Sequence, residues 1–231
     1  MPHRQKFLAI EGIDGAGKRT QMDLLCRLLD RRRVNYVRMS FPRYESFFGQ
    51  MVGRYLNGEF GPLEAVDPHF SAVLYAGDRL EAKAELEEAL LAGKLVLADR
   101  YVGSNLAHQT ARVRPESREE FLTWLKQLEY EIYGLPVEDL VVYLRLPAAE
   151  AQRLVGKKAE REYTRLQRDL QEANLAHLEQ AAQVYDRLAK EPNWASVECF
   201  DAAAGKLRAP EEILREVVAV VEKRAGFLLK A

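Results

Sequence analysis

Five short apolar runs, residues 6–11, 34–39, 94–99, 139–144 and 195–200, alternate with longer stretches in which apolar residues return every three or four positions. Each run has the length and the β-branched or aromatic content of a strand. In the first long stretch, residues 18–33, Met22, Leu25, Cys26, Leu28 and Leu29 keep helical spacing, and Arg31, Arg32 and Arg33 close it where cations favour a helix dipole. Residues 80–91, 115–134 and 210–223 read as further amphipathic helices, with Gly93 and Gly134 placed to stop two of them. Strands alternating with helices predict an α/β fold: a parallel sheet covered on both faces, with ligands at the carboxyl ends of its strands. At 231 residues, without repeats or low-complexity tracts, the chain fits one domain, 1–231, with a lobe.

The first run ends in Gly12-Ile13-Asp14-Gly15-Ala16-Gly17-Lys18-Arg19-Thr20. Strand, glycine-rich turn and helix in this order form a phosphate-binding loop: backbone N–H groups turn inward, Lys18 brings a charge, and the helix points its positive end at the anion. The expected ligand is a nucleoside triphosphate. Arg19 stands where the motif G-x-x-x-x-G-K-[ST] has a hydroxyl that helps to hold Mg²⁺, so Thr20 or another oxygen ligand must serve.

Composition narrows the partners. With 34 basic and 35 acidic residues the net charge is −1, so no global field draws the chain to nucleic acid or an anionic membrane. Any phosphate recognition must be local. Cys26 and Cys199 are far apart and lack metal-ligand spacing, and no apolar stretch reaches the roughly 18 residues of a membrane span. A soluble, cytoplasmic protein without structural zinc is expected.

The third run ends in Asp99-Arg100-Tyr101. Strand geometry puts Asp99 beside Lys18, where a carboxylate can hold Mg²⁺ directly or through water, while Arg100 can fork onto phosphoryl oxygens.

Taken together, Glu11 to Lys18, Phe41-Pro42-Arg43-Tyr44 with Gly49, Asp78-Arg79, Asp99 to Asn105 and Asp201-Ala202 follow one another in an order that resembles the thymidylate kinase family, from about Phe7 to Val221. The resemblance implies a three-layer P-loop fold with a five-stranded parallel sheet in the order 2-3-1-4-5. It implies ATP as donor with Mg²⁺, dTMP as acceptor, dTDP as product in dTTP synthesis, and a homodimer. ATP would lie on Gly12 to Thr20. The dTMP sugar would meet Asp14, its phosphate Arg100 and the Phe41 to Tyr44 element, and its base Arg79 and the ring of Tyr75. Ser104 and Asn105 would touch the pyrimidine edge and nearby phosphate groups, and His108 stands where the family places an aromatic against the sugar. A basic lid over about 153–170, with Arg161 and Arg165 beside Arg153, Lys157, Lys158 and Arg168, would join Lys18, Asp99 and Arg100 in catalysis. Glu172 falls near a family carboxylate that borders the acceptor phosphate. Two other readings fit parts of the pattern: another nucleoside monophosphate kinase of this fold, suggested by Tyr75 and His108, or a nucleotide-binding regulatory protein without phosphotransfer, suggested by Arg19.

Overall fold

The computed structural model describes residues 6–155 and 175–224. Strands β1 (Phe7–Glu11), β2 (Tyr36–Ser40), β3 (Leu95–Asp99), β4 (Leu140–Arg145) and β5 (Trp194–Glu198) form one parallel sheet in the order β2-β3-β1-β4-β5, as the motif order implies. The four pairings are all parallel, and Ile10 lies opposite Asp99 while Glu11 lies opposite Tyr143. The carboxyl ends of β1 and β3 therefore lie side by side, bringing the phosphate loop against Asp99 and Arg100.

Burial follows the continuous apolar reading of a doubly covered sheet: β1 is buried at every position, and so are β3 to Ala98 and β4 to Leu144. Helix α1 (Lys18–Arg31) packs on β1, β3 and α9 (Pro210–Arg224). A second group consists of α3 (Pro68–Glu81), α5 (Val102–Thr110), α6 (Arg118–Lys126) and α8 (Leu175–Leu188), with α5 touching the other three. Helix α2 (Phe47–Leu56) packs against α3 over a satellite cluster of Val52, Tyr55, Leu56, Leu63, Val66 and Leu74. Helices α4 (Lys83–Leu91) and α7 (Ala148–Val155), a small hairpin of β6 (Phe200–Asp201) and β7 (Lys206–Leu207), and short 3₁₀ and π turns complete the described elements.

Three sequence expectations need correction. The helix expected over 80–91 is two helices that meet at Ala82, because Ala82 closes α3 by donating to Arg79 O at 3.1 Å and then opens α4 by accepting from Leu86 N. The helix expected over 115–134 begins as a 3₁₀ turn at Pro115–Ser117 and ends as a wide π turn over Gln127–Ile132. The last run stops at Glu198; Cys199 N still donates to Arg145 O, but Phe200 turns into the hairpin. Gly93 and Gly134 stop their helices with φ of 69° and 60°, left-handed values that suit glycine.

Candidate active site

The glycine turn after β1 is shaped by close backbone approach. At Gly15, with φ 91°, an added Cβ would lie 2.3 Å from the carbonyl oxygen of Ala151 on α7, so no side chain fits. Gly17, with φ 88°, hands the chain to α1, whose first residue is Lys18. Lys18 is buried, and its ammonium donates to Gly12 O at 2.7 Å and Ile13 O at 2.9 Å. Burial first and then the Arg100 charge lower its pKa, against the opposing pull of Asp14, Asp99 and Glu11, to about 7. An anionic phosphate would restore the charge, so ATP should bind with proton uptake above that pKa. Between about pH 7.5 and 9, where ATP is fully ionised, affinity should fall by up to about tenfold per pH unit. Calorimetry in two buffers of different ionisation enthalpy reads the uptake; a flat affinity over that range contradicts it.

Arg100 follows β3 in a left-handed conformation, φ 66°, which costs a side-chain-bearing residue roughly 1–3 kcal/mol. Both flanking N–H groups are pinned: Arg100 N donates to Ile10 O at 3.1 Å, and Tyr101 N donates to Glu11 Oε1 at 2.7 Å. The guanidinium is thereby turned onto the phosphate loop, where it pairs with Asp14 and donates to Ser104 Oγ at 3.1 Å. The two groups expected at the acceptor's sugar and phosphate thus hold each other in this structure.

The base-side residues are arranged differently from the expectation. Tyr75 is half-buried, its ring edge-on to Tyr55 with 6.3 Å between centroids. Arg79, one turn later on α3, is fully buried and gives Nε and Nη2 to the Glu129 carboxylate and Nη1 to Tyr101 O. Asn105 Nδ2 donates to the same carboxylate at 2.7 Å and to Ala72 O at 3.0 Å, while its Oδ1 has no partner among the described residues. The expected fork on Arg79 is therefore largely committed to Glu129, which sequence reading missed. Glu129 lies on the π turn, whose change of phase carries a residue from an otherwise mixed helix into the core. The signal in the sequence was Arg79 itself, since a buried guanidinium requires a carboxylate. Glu129→Gln should cost about 3–5 kcal/mol of unfolding free energy in urea denaturation, because it strands the Arg79 charge. Replacing both partners by apolar residues should recover most of that loss.

Phe41 is buried against Tyr101, and Tyr44 lines a cleft of about 330 Å³ with Arg38, Ser40, Arg43 and Glu85. His108 lies one turn beyond Ser104 and is buried, its Nδ1 3.3 Å from His177 Nε2. Burial holds both imidazoles neutral: His108 falls well below its usual value, and His177, with Arg112 nearby, falls to about 4.

For a metal, the half-buried carboxylate of Asp99 accepts no hydrogen bond from the described residues and acts electrostatically on Lys18, while Thr20 is exposed in the first turn of α1. Oxygen ligands few in number fit Mg²⁺, which keeps water and substrate phosphates as its other ligands. Arg19 is exposed, in line with a residue that starts the helix facing solvent. Lys157, Lys158, Arg161, Arg165, Arg168 and Glu172, with most of the expected lid, lie outside the described residues; Arg153 is described and pairs with Glu150 on α7.

A parallel sheet in this order, with a glycine loop around Lys18 and an arginine delivered from β3, defines a P-loop nucleotide kinase of the three-layer α/β class. Comparison with known proteins makes the assignment specific. The thymidylate kinase family model matches residues 10–204. A thymidylate kinase of Mycobacterium tuberculosis is 32% identical over 184 residues, 79% of this chain and 85% of that protein. A probable thymidylate kinase of Pyrobaculum aerophilum is 29% identical over 222 residues, 96% of this chain and 98% of that one. A solved thymidylate kinase structure from Candida albicans superimposes with a TM-score of 0.72 at 18% identity, covering 95% of this chain and 92% of its own. The chain belongs to the thymidylate kinase family and is an ATP-dependent nucleoside monophosphate kinase.

Proposed function

We propose that this protein transfers the γ-phosphoryl group of ATP to a 5′-phosphate oxygen of dTMP, giving ADP and dTDP for dTTP synthesis. The observation that carries the reading is the Asp14–Arg100 pair, which joins the donor loop and an acceptor-side arginine in one cluster with Lys18. The acceptor oxygen is already anionic, so the chemistry needs charge neutralisation and alignment rather than a strong base.

In this mechanism the loop N–H groups and Lys18 hold the β- and γ-phosphates, and Arg100 turns from Asp14 onto the dTMP phosphate. Asp14, released from part of that pairing, accepts from the sugar 3′-hydroxyl. Tyr75 lies along the base, Asn105 reads its edge through the Oδ1 that Glu129 and Ala72 leave unused, Arg79 reads it with the donor hydrogens left by Glu129 and Tyr101, and Ser104 and His108 border the sugar and phosphate. Phe41 and Tyr44 close the phosphate side. Asp99 and the Thr20 hydroxyl would hold Mg²⁺, which supplies charge neutralisation at the phosphoryl oxygens when bound. A cytoplasmic homodimer completes the proposal on the strength of the family alone, and sedimentation reads its mass. Among the described residues no helix is long and apolar enough to cross a membrane.

Incubation with dTMP and ATP labelled at the γ-phosphate tests the reading. Label should appear in the β-phosphate of dTDP; its absence with folded protein contradicts the proposal.

A further inference from the structure

The carboxylate of Glu11, the last residue of β1, is fully buried and collects four donors from three residues. Tyr101 N reaches Oε1 at 2.7 Å and Ser104 N at 3.0 Å; the Ser104 hydroxyl reaches Oε2 at 2.6 Å, and the Tyr185 hydroxyl of α8 reaches it at 2.9 Å. Two of these donors are backbone groups at the start of α5, whose positive end favours a carboxylate there. The approach requires Gly103, because a Cβ at that position would lie 3.0 Å from Glu11 Cγ and 2.9 Å from the ring of Trp194. Two of these donors bear directly on Arg100. Tyr101 N is the peptide that fixes its left-handed turn, and the Ser104 hydroxyl, after giving its proton to Glu11, accepts from Arg100 Nη1. Tyr185 is itself fixed by stacking on Tyr143, with 5.0 Å between centroids and 13° between planes.

We propose that Glu11, braced by Tyr185, is the positioning residue for the acceptor-phosphate arm: it holds the Arg100 turn and the Ser104 hydroxyl in the geometry that aims the guanidinium at the acceptor's phosphate. Glu11 is not placed to touch either substrate, since its carboxylate lies at 0% exposure with its oxygens committed to protein donors. Its influence on the donor side is small, being the last of the named charges that act on Lys18. The proposal rests on the reading that Arg100 binds the acceptor phosphate.

The test compares binding of dTMP with binding of thymidine, which lacks the phosphate, in the wild type, Glu11→Gln and Tyr185→Phe. Glutamine keeps the shape but replaces one accepting oxygen by a donor. In Glu11→Gln the dTMP affinity should fall about tenfold or more, the thymidine affinity should stay within about threefold, and the KM for ATP should change little. Tyr185→Phe should show the same pattern at about threefold, with its melting temperature close to that of the wild type. A merely structural role weakens dTMP and thymidine in equal proportion, and that result overturns the proposal. If Glu11→Gln does not fold, an unchanged dTMP-to-thymidine ratio in Tyr185→Phe overturns it as well. A wild type that gains nothing from the phosphate of dTMP refutes instead the role given to Arg100.

Discussion

Arg100→Met is expected to lower kcat/KM for dTMP by about 10³ while leaving ATP affinity within about threefold. The loss combines two effects. The acceptor phosphate loses a forked, permanently charged partner, and Asp14 is left without the cation it holds in this structure. Arg100→Lys should recover little, because an ammonium cannot span Asp14, Ser104 and a phosphate with a planar fork. The variant also carries an internal control. Arg100 is the charge that most lowers the Lys18 pKa after burial, so its removal should move the pH at which ATP binding begins to weaken upward from about 7. Steady-state kinetics with each substrate varied in turn, with ATP titrations across pH, read both effects. A fall in ATP affinity as large as the fall for dTMP would place Arg100 on the donor side instead.

Lys18→Met should have the complementary signature: a fall of about 10³ or more in kcat with either substrate saturating, and weaker ATP binding. Methionine fills much of the same space, which limits the packing loss, and it removes both hydrogen bonds that Lys18 makes to Gly12 O and Ile13 O. Because the ammonium is buried and costly to keep charged, the variant should fold at least as stably as the wild type without ATP. ATP should then raise the melting temperature of the wild type far more than that of Lys18→Met. Equal stabilisation of the two would show that Lys18 does not hold the triphosphate.

The donor half of the site was legible because its chemistry is local in sequence. A glycine turn of fixed spacing between an apolar run and an amphipathic helix specifies both the backbone path and the charge it carries, so residues 12–18 and the element order around them could be read directly. Asp99 and Arg100 were legible for a related reason, since a strand end beside β1 must face the same loop. The sheet order came from the family resemblance, and the structure has it. Glu129, Glu11 and Tyr185 were harder. Each acts through a partner more than 20 positions away, and each is unremarked locally: a glutamate in a charged helix, a glutamate at a strand end, a tyrosine on an amphipathic face. Arg79 was read for its resemblance to a base-binding position, and only packing reveals that a carboxylate from a π turn takes its Nε edge. The break at Ala82 escaped periodicity because alanine suits a helix, and a turn of tertiary origin leaves no mark in propensity.

Whether this kinase takes dTMP as its acceptor is read from kcat/KM across dTMP, dUMP, dCMP, dGMP, UMP and AMP with ATP as donor. dTMP should stand highest, ahead of dUMP by about tenfold or more, the value of one methyl group in a shaped apolar pocket. Faster turnover of any other monophosphate, or no phosphoryl transfer to any of them by folded protein, would contradict it.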